Sequence, residues 1–134
     1  MEKPFTNPLA LEWLVKADAD FVTANRELRA RKMPNYDAAC FHAQQCVEKL
    51  LKSIMIHEKL IPPKSHDLSY LLNLTLPHRP MWEDFQLLSA YAVEYRYPGE
   101  SATKEMAREA LRCCSKFREQ FDREIGLFVS RVRH

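Results

Sequence analysis

The chain has 134 residues, 46% of them hydrophobic and 28% charged. That is enough to bury a core without disulfides or metal, and it excludes intrinsic disorder as the main state. A formal charge of +2 and a pI near 8.4 fall short of the concentrated basicity of a dedicated nucleic-acid binder, and no apolar run approaches the roughly 20 residues of a membrane span. The 2 glycines leave little material for hairpin turns, and the 8 prolines punctuate short stretches, so helices joined by proline-marked loops are expected.

In chain order, Asn7-Pro8 opens the first predicted helix, with Asn7 as cap and Pro8 at the first helical position. Ala10, Leu14, Ala17, Phe21, Ala24 and Leu28 form its apolar stripe, widened by Trp13, until Met33-Pro34 ends it. Glu12, Lys16, Asp20, Arg26 and Glu27 make the face expected to meet water. Arg26, Arg29, Arg31 and Lys32 read as a solvated helix end.

Capped by Asn35 or Asp37, the second predicted helix runs to about Lys59, before Pro62-Pro63. Its stripe is Ala39, Ala43, Cys46, Val47, Leu50, Leu51, Ile54 and Met55, broad enough to make this the central element. His42, Gln45 and Lys49 line one edge of that stripe. There they either close hydrogen bonds at a helix interface or reach into a cleft between helices. Two long helices on a short link imply an antiparallel pair.

Lys64-Ser65-His66-Asp67-Leu68 begins a short third helix through about Leu74, with Ser65 as cap and Asp67 adding negative charge to the first turn. His66 therefore stands at a helix start, where backbone N–H groups attract anions, or else acts as a clasp between helices. After Pro77 and Pro80, a fourth helix is carried by Met81, Phe85, Leu88, Ala92 and Tyr95, stopping at Arg96-Tyr97-Pro98-Gly99. Arg96 joins a fixed cation to the phenols of Tyr95 and Tyr97, a grouping suited to a phosphate or a stacked base, or to an Arg–Glu pair with Glu94. The last helix is expected from about Ser101 to Arg131 along Met106, Ala110, Cys113, Cys114, Phe117, Phe121, Ile125 and Phe128, long and apolar enough to pair with a second copy.

Cys40, Cys46, Cys113 and Cys114 include no CxxC pair and follow no signal peptide, which reads as a reducing, cytoplasmic setting. The His42–Cys46 spacing lacks a second ligand pair, so no metal and no cofactor are expected. The fold class is all-α, an up-and-down bundle of four or five helices in a single domain over 1–134.

A long first helix, then Ala39-Cys40-Phe41-His42-Ala43-Gln44-Gln45-Cys46-Val47-Glu48-Lys49, Ser65-His66-Asp67-Leu68 and Glu94-Tyr95-Arg96-Tyr97-Pro98-Gly99, stand in an order and at distances that resemble the HEPN (higher eukaryotes and prokaryotes nucleotide-binding) family. The resemblance covers nearly the whole chain. It implies a helical bundle, commonly a homodimer, that often acts with a minimal nucleotidyltransferase protein. Some relatives are ribonuclease toxins of toxin-antitoxin pairs, marked by an arginine followed after four to six residues by histidine. No arginine here has that spacing, since Tyr97, Pro98, Gly99, Glu100, Ser101, Ala102 and Thr103 follow Arg96.

The expected function is therefore a nucleotide-binding accessory module without catalytic residues, with His42, Gln45, Lys49, His66, Asp67, Arg96 and Tyr97 as the candidate ligand-binding set. A pure interaction scaffold is the alternative. A metal-free ribonuclease is disfavoured, because Arg96 supplies the cation for the phosphorane but no spaced histidine supplies the base.

Overall fold

A computed structural model describes residues 5–75, 82–94 and 98–123. Among them are five helices, α1 (Pro8–Arg29), α2 (Tyr36–His57), α3 (Leu68–Thr75), α4 (Trp82–Glu94) and α5 (Lys104–Phe121), and no strand. The all-α class read from the sequence is the class observed.

Apolar periodicity explains the core. Every residue of the α2 stripe is buried, together with Ala10, Leu14, Ala17 and Ala24 of α1 and Ala110, Cys113, Cys114, Phe117 and Phe121 of α5. Because α2 packs against each of the other four helices, it is enclosed on most of its circumference. Phe85 of α4 meets Phe117 edge-on at 5.1 Å between ring centroids, the aromatic geometry favoured by ring quadrupoles.

Directions follow from the contacts. Phe5 lies on His57, Trp13 on Lys52, and Asp20 between His42 and Lys49, so α1 and α2 run antiparallel. Asp37 accepts a hydrogen bond from the Ala102 amide at 2.6 Å, and the Cys46 and Cys114 thiols are hydrogen-bonded to one another, so α5 runs parallel to α2. Lys116 reaches back to Asp84, which sets α4 antiparallel to α5. The long helices α1, α2, α4 and α5 thus alternate up and down. The 58–67 link doubles back along α2 until His66 lies against Glu48, and only then starts α3.

Three helix ends differ from expectation. Asn35 alone caps α2 through its side chain, accepting from the Ala38 amide, whereas Asp37 is spent on Ala102. At α3 the cap is Asp67, which accepts from the Ser69 and Tyr70 amides; Ser65 accepts from Asp67 one step earlier. The first-turn amides that the sequence offers to an anion beside His66 are therefore partly taken. Finally, α2 stops at His57 before Pro62-Pro63 can act, through a Schellman turn in which Leu60 N–H donates to Met55 and Lys59 N–H to Ile56.

α1 likewise ends at Arg29, four residues before Met33, and α5 starts at Lys104 with Thr103 as cap, not at Ser101. The expected continuation of the last helix through Ile125 and Phe128 lies outside the described residues.

The Schellman turn places Lys59 at φ 62, in the left-handed region where a side chain is strained. Lys59→Gly is expected to stabilise the protein by about 0.5–1 kcal/mol, read as a higher denaturation midpoint with an unchanged slope.

Candidate functional site

The polar edge of α2 is built around two buried carboxylates. Asp20 of α1 is 7% exposed and stands three residues after Ala17 and four before Ala24, in line with the buried stripe. From sequence alone it belongs to the wet face. It instead points into α2, where His42 Nδ1 lies 2.7 Å from Oδ1 and the Lys49 ammonium donates to Oδ2. A carboxylate accepts only, so the proton of this contact belongs on Nδ1 and the ring leaves Nε2 for other partners.

Glu48, 3% exposed, is the second carboxylate. It accepts from Gln44 Nε2 at 3.1 Å, His66 Nδ1 at 2.7 Å and Lys52 Nζ at 3.0 Å. Gln44 also donates to the His66 carbonyl at 3.1 Å and accepts from Gln45 at 2.8 Å. Lys52 rests over the Trp13 ring, 5.5 Å from its centroid, so its charge meets both a carboxylate and an aromatic face. His66 is thus held by ring and backbone at once, which ties the returning 58–67 link to the middle of α2. Its side chain still keeps 70% exposure.

The expected residues therefore form separate groups. His42 and Lys49 share Asp20, while Gln45 joins His66 through Gln44 and Glu48. Asp67 caps α3 and lines a cleft of about 490 Å³ between α3 and α4 with Ser69, Tyr70, Asn73, Gln86 and Ser89. His42, Gln45 and Lys49 do not line this cleft. Arg96 and Tyr97 lie outside the described residues.

Asp20, Gln44, Glu48 and Lys52 are site residues that the sequence did not single out. A trace was present, because Gln44, Glu48 and Lys52 repeat at four-residue spacing and so share one line along α2. What the pattern lacks is the depth of that line, which depends on the link folding over it.

The cleft wall is made of hydroxyls, amides and a carboxylate. Ser89 Oγ accepts from the Leu68 amide, fixing α4 to the start of α3. Ser69 is 4% exposed and its Oγ has no hydrogen-bond partner among the described residues. A buried hydroxyl left unpaired costs about 1–3 kcal/mol. Tyr70, by contrast, is 48% exposed and offers a ring at the cleft rim.

All four cysteines are free and buried. Burial pushes the Cys40 and Cys113 thiols up to about 12, with Asp37 and Asp84 respectively adding to the effect. Cys46 is raised first by its hydrogen bond to Cys114 and then by burial. Among the described residues no group of three or more histidine, cysteine or acidic side chains is arranged to hold a metal ion. No described helix is long and apolar enough to cross a membrane.

Two outcomes follow. Removing Asp20 strands two donors of which one is a fixed charge, so Asp20→Ala should cost about 2–4 kcal/mol and His42→Ala about 1–2 kcal/mol in urea unfolding. Equal losses would refute Asp20 as the shared anchor. A thiol raised from 9.0 to about 12 holds less thiolate at every pH below that value. Native-state alkylation at about pH 8 should therefore lag that of the unfolded chain by roughly two orders of magnitude or more, and prompt labelling of the folded protein would contradict this burial.

Two solved structures share the fold: TT1696 from Thermus thermophilus, with 27% identity and a TM-score of 0.69 over 80% of this chain and 91% of that one, and ST0689, an archaeal HEPN homologue, with 25% identity and a TM-score of 0.64 over 80% and 89%. No curated protein matches the sequence. The family model described as HEPN domain matches residues 10–124, from the first turn of α1 to just past α5. The chain belongs to the HEPN domain family.

Proposed function

We propose that this HEPN domain is a nucleotide-binding accessory module whose ligand lies in the α3–α4 cleft. One observation carries the reading: a cavity of about 490 Å³ walled by Asp67, Ser69, Asn73, Gln86 and Ser89, with Tyr70 at its rim. Its volume falls in the range of small-molecule sites. Amides and hydroxyls complement the edges of a base and the hydroxyls of a ribose, the phenol offers a stacking face, and the unpaired Ser69 Oγ is a group that repacking around a ligand would satisfy.

His66 precedes Asp67 directly, and Glu48 fixes its ring. Arg96 and Tyr97 keep in this proposal the roles their chemistry suits, a cation for phosphate and a second phenol. The proposal also includes a minimal nucleotidyltransferase as protein partner and a homodimer as the working form. Both rest on family membership alone.

A second reading, the interaction scaffold, draws on a different observation. The Asp20 carboxylate takes up His42 Nδ1 and the Lys49 ammonium within the protein, so on this reading the group serves the fold and leaves recognition to other surfaces. The ribonuclease reading lacks the arginine-to-histidine spacing anywhere in the 134 residues.

A thermal-shift series against ATP, GTP and other mononucleotides separates the first two readings. A ligand at about 100 times its Kd adds about 2.7 kcal/mol to native stability, a rise of several degrees. Tyr70→Ala and Asn73→Ala, both at exposed positions, should abolish that rise while leaving the unliganded melting point within about 2 °C. Unchanged melting at millimolar nucleotide would favour the scaffold.

A further inference from the structure

A second cavity, of about 610 Å³, opens where α1 ends and both α2 and α5 begin. Its walls are Leu28, Arg29, Ala30, Arg31, Pro34, Tyr36, Lys104 and Arg108. Four of these are cations, all exposed. Two carboxylates stand nearby without lining it: Glu105, paired with Arg108 at 2.8 Å, and Asp37, whose Oδ1 accepts from the Ala102 amide. The lining itself holds four cations and no carboxylate.

Helix-end electrostatics accounts for only part of this charge. Arg29 lies in the last turn of α1, where a cation is favoured. Arg31 lies beyond that helix, in the turn. Lys104 is the first residue of α5, at the positive end of the helix dipole, where a cation is disfavoured. Its placement opposes local stability and adds to the positive potential that Arg29, Arg31 and Arg108 already impose on the groove. A solvated helix end, the role the sequence suggests for the arginine cluster, leaves this out, because Lys104 and Arg108 are distant in sequence and join it only once α5 is packed beside α1 and α2.

We propose that this groove binds a ligand carrying two or more linked phosphates. Three of the four cations are arginines, whose planar forks match phosphate oxygens in pairs. Four charges exceed what a single phosphate group needs, and half-buried Tyr36 supplies an apolar floor. A free oligophosphate, including the phosphate chain of a nucleotide, and the backbone of a single-stranded nucleic acid share this chemistry. The site has no residue in common with the α3–α4 cleft and stands independently of the function proposed for it.

The test measures binding of inorganic triphosphate by calorimetry and of a labelled single-stranded RNA of about twelve nucleotides by fluorescence anisotropy, in low salt, with the full chain. The parent should bind at least one of them. Arg31→Glu combined with Lys104→Glu should weaken that binding at least tenfold, whereas Tyr70→Ala should leave it unchanged. Lys104→Glu alone places an anion at the helix start, so it should raise the melting temperature by about 1–4 °C while weakening the ligand. Loss of binding is thereby separated from loss of fold.

Triphosphate binding that matches the RNA identifies a free oligophosphate. RNA binding that is tighter, with log Kd changing by about 3 per decade of salt, identifies a strand crossing all four cations. Absence of both interactions in the parent, or equal binding by the charge-reversed double variant, overturns the proposal. Either of those results leaves the α3–α4 reading intact, since that depends on Tyr70 and Asn73.

Discussion

The structure depends on keeping two carboxylates inside a helical interface. Asp20 and Glu48 are nearly inaccessible to water, and a buried charge is tolerable only when fully paired. Each therefore takes donors from different parts of the chain. Asp20 binds α1 to α2 through His42 and Lys49, and Glu48 binds the returning 58–67 link to α2 through His66 while Lys52 and Gln44 complete its shell. Apolar burial supplies most of the driving force for the bundle. It is non-directional, however, and the carboxylates fix which turn of one element faces which turn of the next.

That division of labour shapes the surfaces left for ligands. Because His66 is pinned to Glu48, the link arrives at a set position and Asp67 can cap α3 there. The axis of α3 relative to α4 is then held by the Ser89 hydroxyl on the Leu68 amide, and the polar cleft lies between them. Asp37 holds the start of α5 beside the start of α2 by accepting from Ala102. Lys104 and Arg108 are brought beside Arg29 and Arg31 as a result. Two surfaces of different chemistry, one largely neutral and polar and one cationic, are thus positioned by the Glu48 and Asp37 contacts of α2 together with the Ser89–Leu68 bond between α3 and α4.

Family membership agrees with this picture at the level of fold. The HEPN match spans all five helices, and the two solved relatives superpose over four-fifths of the chain. Function at that level stays with individual side chains, because one fold can host many sites. In this chain the arginine-to-histidine spacing of the family's ribonucleases is missing, while the α3–α4 cleft is lined by a carboxylate, hydroxyls and amides.

By itself the sequence determined the helices and their buried faces. Apolar residues at helical spacing name Ala39 through Met55 as core, and Asn7-Pro8 and Asn35 announce two helix starts, because periodicity and capping are local properties. Ends set by less local effects were harder: Lys59 adopts a left-handed turn without glycine, and Asp67 takes the capping role that Ser65 also suits. Only the tertiary structure decided where the polar side chains went. Asp20 reads as a surface residue until α2 covers it, Glu48 reads as one until the link folds across it, and Lys104 gains its meaning from arginines at the far end of α1. The reason is physical: burial and electrostatic potential are sums over neighbours from the whole chain, and residues distant in sequence contribute the deciding terms.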